Sequence, residues 1–245
     1  MPELTPDSEE LIRTLLSTLD SFEIVDLSHT LEGGIPAWPT HARFGQTLYE
    51  SYELGDIACH YGLTMSEHTG THMDAPLHFI AEGPTHYGVD KISLDRLVGR
   101  AATIDATGLE LGGLLNADQV RSWEQKHGAL KPRDKVLFRY GWDERWATGP
   151  EGRVFLEDWP GLGGDAAAYL VDKEVSLVGC DTLAIDAAGS VENPAHYTLL
   201  GNEVYIAENL KNLDRLPSFC VFAAFPLKIG GGSGSPVRAV ALVPR

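Results

Sequence analysis

The sequence predicts an α/β or α+β protein built on a substantial mixed β-sheet or barrel. Short segments rich in β-branched and aromatic residues recur along the chain, and only a few helical patterns separate them. The chain of 245 residues suits one large domain or two small ones, and no linker divides it. We therefore expect a single domain over residues 1–245.

The first 21 residues predict an amphipathic helix. Thr5 is a suitable N-cap, Pro6 follows at the first helical position, and acidic residues occupy the first turn. One face of this helix is apolar and consists of Leu11, Ile12, Leu15, Leu16 and Leu19. The segment lacks the basic region of a signal peptide, so we expect it to pack on the body of the protein or on a second subunit.

Eight later segments predict strands because they are short, rich in β-forming residues and bounded by turn residues. They span residues 22–28, 46–54, 57–66, 134–140, 175–181, 203–209, 219–225 and 237–243. Asn116 and Gln119 form a capping-box pair that begins a helix, and a shorter helix is predicted over 165–173. Between these helices, residues 142–163 form a long aromatic and glycine-rich loop, a kind that is often functional.

The charge of the chain argues against nucleic acid and membrane partners. The formal net charge is −16, which gives no overall attraction to phosphate backbones or anionic membrane surfaces. No apolar run is long enough to span a bilayer. The cysteines, Cys59, Cys180 and Cys220, are odd in number and widely spaced, which is typical of a protein from the reducing cytoplasm.

The stretch SEHTGTHMDAPLHF, residues 66–79, concentrates metal-binding side chains in a short segment. His68, His72, Asp74 and His78 are all even-numbered, so in an extended chain they would point to one face. A straight strand would separate the first and last histidines by roughly 33 Å, whereas metal–nitrogen bonds are about 2 Å long. The chain must therefore bend if these side chains share one ion.

Two turn-forming residues supply the expected bends. Gly70 weakens a helix and Pro76 breaks one, so the segment cannot be helical. A turn at Gly70, an extended piece through His72 and Asp74, and a bend at Pro76 would let that pair chelate one ion, with His68 folded back as a third ligand.

Two histidines and a carboxylate leave open positions on a zinc-like ion, as in catalytic metal sites. The same ligands suit manganese or an iron facial triad, so residue types alone do not name the metal. A polar loop that happens to be rich in histidine is the alternative.

The motif HTGTHMDAPLHF resembles the H-x-G-T-H-x-D-x-P-x-H signature of the metal-dependent cyclase family, which includes bacterial kynurenine formamidases and isatin hydrolases. Four further segments resemble family segments in the expected order: IPAWP, GCDTLAID, HYTLLGNEVYIAENL and PLKIGGGSGSPVRAVAL. The likeness runs from Ile35 to Leu242. It implies an α/β fold around a central β-barrel-like mixed sheet flanked by helices, and a homodimer.

The resemblance also implies site residues. The metal ligands would be His68, His72, Asp74, His196 and Glu208. The first three would hold one zinc or manganese ion, and the aspartate can bridge to a second ion held by the last two. His78 would be the general acid/base, and Trp38 would contact the substrate. Asp181 and Asp186 either orient ligand histidines or cap strand ends.

The implied reaction is hydrolysis of the amide C–N bond of a small aromatic substrate, either a cyclic amide such as isatin or N-formylkynurenine. A bound divalent ion makes hydroxide available at neutral pH, and His78 moves the proton from water to the leaving nitrogen. Phe44, Trp142 and Trp146 are further candidates for an apolar wall beside Trp38.

The sequence departs from the family pattern at Thr40-His41, which follows Trp38-Pro39 where many relatives have Gly-Asp. Two other features shift weight within the family: the loop over 142–163 is longer than in compact formamidases, and the C-terminal GGGSGSPVR is closer to other relatives. Both favour an isatin-hydrolase-like or uncharacterised member. The alternatives outside amide hydrolysis are a dehydratase or cyclase acting on a small hydroxy acid, and a non-catalytic metal-stabilised binding protein.

Overall fold

The computed structural model describes residues 6–245. Within this range the helices are α1 (Pro6–Leu19), α2 (Ala117–His127), α3 (Gly164–Asp172) and α4 (Pro194–Gly201). The strands are β1 (Phe22–Asp26), β2 (Gly45–Glu50), β3 (His60–Thr64), β4 (His72–Asp74), β5 (Val98–Asp105), β6 (Leu114–Leu115), β7 (Lys135–Arg139), β8 (Gly161–Leu162), β9 (Leu177–Cys180), β10 (Tyr205–Glu208), β11 (Phe219–Ala223), β12 (Gly234–Pro236) and β13 (Val240–Pro244).

Nine strands form one mixed sheet in the order β1-β13-β11-β5-β7-β9-β10-β4-β12. Its centre, β5-β7-β9-β10, is parallel, and the strands on either side pair antiparallel. Helices accompany the parallel strands, as crossover connections require. The predicted α/β class with a mixed central sheet is confirmed, and the α+β alternative is not needed.

The sheet curls, so that segments near its two edges meet. Ser28, just after edge strand β1, forms a bridge with Leu210, just after β10 near the other edge. The neighbouring Lys211 N–H donates to the Leu27 carbonyl at 3.0 Å. These contacts give the sheet the barrel-like form that was expected from the family resemblance.

The two faces of the sheet bury separate cores. Val136 and Phe138 of β7 lie in the core shared with the helices, whereas Leu137 between them lies in the core inside the curl. This alternation follows from the two-residue period of a strand. Met73 of β4 is fully buried in the inner core, so apolar packing holds in place the strand that carries the histidine motif.

Several predicted elements are present with small changes of length. The capping box of α2 is confirmed, since Asn116 Oδ1 accepts from Gln119 N at 3.0 Å and the reciprocal bond is 2.9 Å. The predicted strand over 46–54 ends at Glu50, and a 3₁₀ turn follows. The segment 142–163 is not a plain loop, because it contains two 3₁₀ segments and ends in β8. Three elements of the main fold were not predicted: β5, β12 and α4.

Helix α1 begins at Pro6, as predicted, while its proposed cap Thr5 lies outside the described residues. Its apolar face does not pack on the body of the protein. Leu11, Leu15 and Leu16 are 72%, 59% and 57% exposed. No helix in the described part of the chain is long and apolar enough to cross a membrane.

Candidate metal centre

Strand β4 places His72 and Asp74 on the face of the sheet opposite Met73. It lies between β10 and β12, and its register sets His72 directly opposite Glu208. Gly70 turns the chain before the strand with a φ of +62°, and a 3₁₀ turn over Pro76–His78 bends it afterwards. Both bends and the extended piece between them were predicted from the sequence.

The turn at Gly70 is held by hydrogen bonds to Asn209, which directly follows β10. Asn209 Nδ2 donates to the Gly70 carbonyl at 2.9 Å, and Thr71 Oγ1 donates to the Asn209 carbonyl at 2.6 Å. A left-handed φ favours glycine here, and an added Cβ would lie 2.5 Å from a methyl of Leu31. His72 Nδ1 also donates to the Gly70 carbonyl, at 2.9 Å, so its Nε2 is the nitrogen directed inward.

His196 is held in the same manner from α4. The Asp186 carboxylate accepts from the backbone N–H groups of Ala195 and His196, and from His196 Nδ1 at 2.6 Å. The free Nε2 then lies 3.2 Å from Glu208 Oε1 and 3.6 Å from Asp74 Oδ2. Asp186 therefore orients a histidine, one of the two roles that the sequence left open.

Asp181 has the other predicted role, which is to cap the end of a strand. It accepts hydrogen bonds from the backbone N–H groups of Tyr140, Gly141 and Trp142, at distances from 2.8 to 3.2 Å. It therefore fixes the start of the segment that follows β7 and does not touch the histidines of the motif.

Hydrogen bonds hold both ring nitrogens of His68. Ser233 Oγ donates its only proton to Glu67 Oε2 at 2.6 Å, so His68 Nε2 donates to Ser233 Oγ at 3.0 Å. His68 Nδ1 forms a second hydrogen bond with Asp74 Oδ1 at 2.8 Å. Each of the three imidazoles thus uses one nitrogen outside the centre and directs the other at its carboxylates.

Imidazole nitrogens converge on two buried carboxylates, Asp74 and Glu208. Asp74 and Glu208 are buried, and Asp74 Oδ2 has no hydrogen-bond partner among the described residues. His72 Nε2 lies 3.4 Å from a carboxylate oxygen of each. Burial alone would lower the pKa of His72, but hydrogen bonds to both carboxylates raise it to about 10. A divalent cation would neutralise the same two carboxylates, so the residues present fit a metal ion.

Ligand atoms group in two overlapping sets around the shared aspartate. One set comprises His68, Asp74 and His78, and the other comprises His72, Asp74 and Glu208, with ligand atoms within 4.8 Å of one another in each. His196 lies against the second set. The arrangement has room for one ion or for two.

His78 lies at the edge of this centre. Its ring stacks on that of His68 with centroids 4.0 Å apart. Burial, aided by the neighbouring imidazoles of His68 and His196, lowers the pKa of His78 to about 4 despite the nearby Asp74 carboxylate. The ring is therefore neutral at pH 7 and can accept a proton.

A cavity of about 250 Å³ opens over the cluster. Its wall includes most of the residues singled out from the sequence: Trp38, His68, His72, His78, His196 and Glu208. Asp74 is fully buried beneath them. The structure thus brings together all seven of these side chains, which come from four separate parts of the chain.

The predicted apolar wall was partly wrong. Trp142 is buried in the outer core, and Trp146 stacks on His29 with centroids 3.9 Å apart, so neither lines the cavity. Phe79 and Leu183 form the apolar wall beside Trp38 instead.

Sequence reasoning also missed His41, Ser190 and Asn193, which line the same cavity. Two of the missed lining residues had a signal in the sequence. Phe79 directly follows His78, and His41 lies two residues after Pro39.

The fold and the centre define a metal-dependent hydrolase that acts on carbon–nitrogen bonds other than peptide bonds. Residues 25–187 match the family model described as "Putative cyclase". The chain belongs to this family.

Named relatives agree with this assignment. The chain is 36% identical over 197 residues to an isatin hydrolase of Roseibium aggregatum, covering 75% of this chain and 74% of that protein. It is 31% identical over 218 residues to a kynurenine formamidase of Bacillus mycoides, covering 88% and 95% of the two chains.

Solved structures give the same result. Isatin hydrolase A from Ralstonia solanacearum superposes with a TM-score of 0.87 at 32% identity, over 99% of this chain and 100% of that one. An isatin hydrolase bound to the product analogue thioisatinate gives a TM-score of 0.86 at 30% identity, again over 99% and 100% of the two chains.

Proposed function

We propose that the protein opens a small, uncharged cyclic amide of the isatin type by hydrolysis. The lining of the cavity carries this proposal. Trp38, Phe79 and Leu183 suit a flat ring, and no lysine or arginine among the described residues lines the wall. N-formylkynurenine carries a charged amino-acid group, whose carboxylate would find no fixed cation there.

His68, His72 and Asp74 are the proposed ligands of one zinc or manganese ion. Asp74, His196 and Glu208 would hold a second. The support is the convergence of histidine nitrogens on two buried carboxylates, one of which has an oxygen without a hydrogen-bond partner among the described residues. A divalent cation there supplies Lewis-acid polarisation of the amide carbonyl and water with a pKa near 7.

The side chains of the protein carry out the remaining steps. His78 takes one proton from water, whose oxygen forms the new bond to the carbonyl carbon. The C–N bond then breaks, and His78 returns the proton to the leaving nitrogen. Trp38 and Phe79 contact the flat ring of the substrate and fix its orientation. Asp186 keeps His196 directed at the centre through the 2.6 Å hydrogen bond.

The test compares two substrates on the metal-loaded protein and on a chelated control. Ring opening of isatin and deformylation of N-formylkynurenine are each followed by ultraviolet absorbance. We expect a higher kcat/KM for isatin and loss of activity after chelation. Turnover of N-formylkynurenine alone would identify a formamidase, and turnover of neither would contradict amide hydrolysis of both kinds.

Kynurenine formamidase activity is the second candidate. The observation in its favour is coverage, since the chain spans 95% of the Bacillus mycoides formamidase but 74% of the curated isatin hydrolase. A non-catalytic metal-binding role has less support, because a purely structural centre needs neither His78 nor an open cavity beside it.

We further propose a homodimer of single-domain subunits. The apolar face of α1 is exposed on this chain. Among residues 6–245 the β2–β3 ribbon pairs with no other strand, and Tyr49, Leu54 and Ile57 on or beside it are 65%, 71% and 99% exposed. A lone two-stranded ribbon is marginal in water, and patches of this kind mark protein interfaces. The three free cysteines suit the cytoplasm as the location.

A further inference from the structure

His41 lines the cavity, and the Nδ1 of its imidazole is buried without a hydrogen-bond partner among residues 6–245. The ring centroid lies 6.5 Å from that of Trp38 and 5.7 Å from that of His68. His41 therefore lies beside both the apolar wall and the proposed metal centre.

The backbone fixes this position. His41 N donates to the Trp38 carbonyl at 3.0 Å, which closes a turn, and Arg43 Nη1 donates to the Ala37 carbonyl at 2.8 Å. Ala37 and Phe44, on either side of the turn, are buried. The imidazole is thus presented to the cavity by an anchored segment.

The chemistry of this imidazole points to a ligand. An imidazole carries an N–H donor in either protonation state, and the buried Nδ1 of His41 has no partner among the described residues. The partly exposed remainder of the ring lines the cavity, so its Nε2–H is the group left to bond an occupant.

We infer that His41 is a specificity-determining residue that donates a hydrogen bond to a carbonyl oxygen adjacent to the scissile amide. This inference rests on the proposed function and narrows its substrate class to amides with a neighbouring carbonyl group. In this proposal the scissile amide faces the proposed metal centre, and the carbonyl on the next ring carbon faces His41 on the cavity wall.

The test measures binding of two ring-opened acids to the metal-loaded protein by calorimetry. They are 2-aminophenylglyoxylate, which keeps the adjacent keto oxygen, and 2-aminophenylacetate, which lacks it. We expect the wild-type protein to bind the keto acid about tenfold more tightly, the value of one good hydrogen bond. His41→Phe should remove most of this preference, and His41→Gln should retain part of it through its amide N–H.

Matched measurements separate this role from a structural one. His127→Gln, at the exposed end of α2, should bind both acids as the wild-type protein does. Bound metal and melting temperature should be unchanged in His41→Phe. An undiminished keto preference in His41→Phe overturns the inference, and so does loss of metal, which would assign His41 to the metal centre.

Isatin turnover by the wild-type protein is measured in parallel. Without turnover, a keto preference that depends on His41 would still support this inference while contradicting the proposed function.

Discussion

Each histidine at the centre depends on a second hydrogen bond made by its other nitrogen. The Gly70 carbonyl orients His72, Asp186 orients His196, and Ser233 orients His68. The even spacing of the motif predicted which side chains meet. It could not predict two of these partners, because Gly70 acts through its carbonyl and Ser233 lies 165 residues from His68.

The role of His78 can be separated from metal binding by substitution. His78→Ala should leave the metal content unchanged, because His78 is not a proposed ligand and the proposed ligands keep their orienting bonds. Turnover should fall by a factor of about 10² or more, since proton transfer loses its positioned base. Metal content is measured by elemental analysis and turnover by isatin absorbance. Retained turnover would show that another group moves the proton.

A second histidine makes the stability of the protein depend on pH. Burial lowers the pKa of His29 to about 3 from an ordinary value of 6.5, with Lys211 adding to the effect and Asp26 opposing it. Between these two values the unfolded chain binds a proton that the folded protein does not. His29 therefore contributes stability above pH 6.5 that is lost as the pH falls towards 3.

His29→Phe should weaken this dependence while keeping the ring stacked on Trp146. Urea unfolding of both proteins at pH 7.5 and pH 5 would measure it. We expect the wild-type protein to lose more stability on acidification than the variant, by up to about 1.4 kcal/mol per pH unit. Parallel losses in both proteins would show that His29 does not titrate in this range.

At the scale of elements, the centre depends on two very short strands. Strand β4 has three residues, and β12, also three residues long, lies in the glycine-rich segment near the C-terminus. The sequence predicted the extended piece but not β12, because Gly234 and Pro236 are poor strand formers. The segment Gly234–Pro236 is extended because it pairs with β4.

Gly234 provides the space for a proposed ligand. A Cβ added there would lie 2.5 Å from Cε1 of His68. Gly234→Ala should therefore displace His68 and weaken metal binding by roughly 10–100-fold, as other disturbances of ligand orientation do. Metal titration monitored by calorimetry would measure the change.

Gly230→Ala is the matched control, because it lies in the same glycine-rich segment and its added Cβ meets nothing within 4 Å. Equal affinities in the two variants would mean that His68 is not held as proposed.

The elements that sequence reasoning missed share a physical cause. Strand β5 has eight residues, of which three are β-branched, and Gly99 and two alanines occupy three further positions. Helix α4 has eight residues, and Asn193 at its start makes no capping hydrogen bond with its side chain. Both elements form because buried neighbours hold them, and a local pattern does not record such packing.

At the scale of the whole molecule, the number and spacing of strands were enough to predict a mixed sheet. They could not predict its curl, which depends on contacts such as Ser28 with Leu210, 182 positions along the chain. The same limit applied to α1. Its apolar face was evident from sequence, but only the structure shows that this chain leaves the face exposed.

The proposed dimer makes a prediction for solution mass. Leu15→Glu places a charge in the exposed apolar face of α1 and should convert a dimer into monomers, as measured by analytical ultracentrifugation. Leu111→Glu is the control, because Leu111 has similar exposure, 61% against 59%, and lies outside α1. A wild-type protein that sediments as a monomer would contradict the proposal, as would a Leu15→Glu protein that stays dimeric.

The bond between Gly70 and Asn209 joins positions 139 residues apart. A ribosome adds about 5–20 residues per second, so the motif emerges on the order of ten seconds before the strand that completes its surroundings. During that interval the nascent chain exposes three potential ligands without their orienting partners. The proposed cation would therefore bind stably only late in the synthesis of the chain.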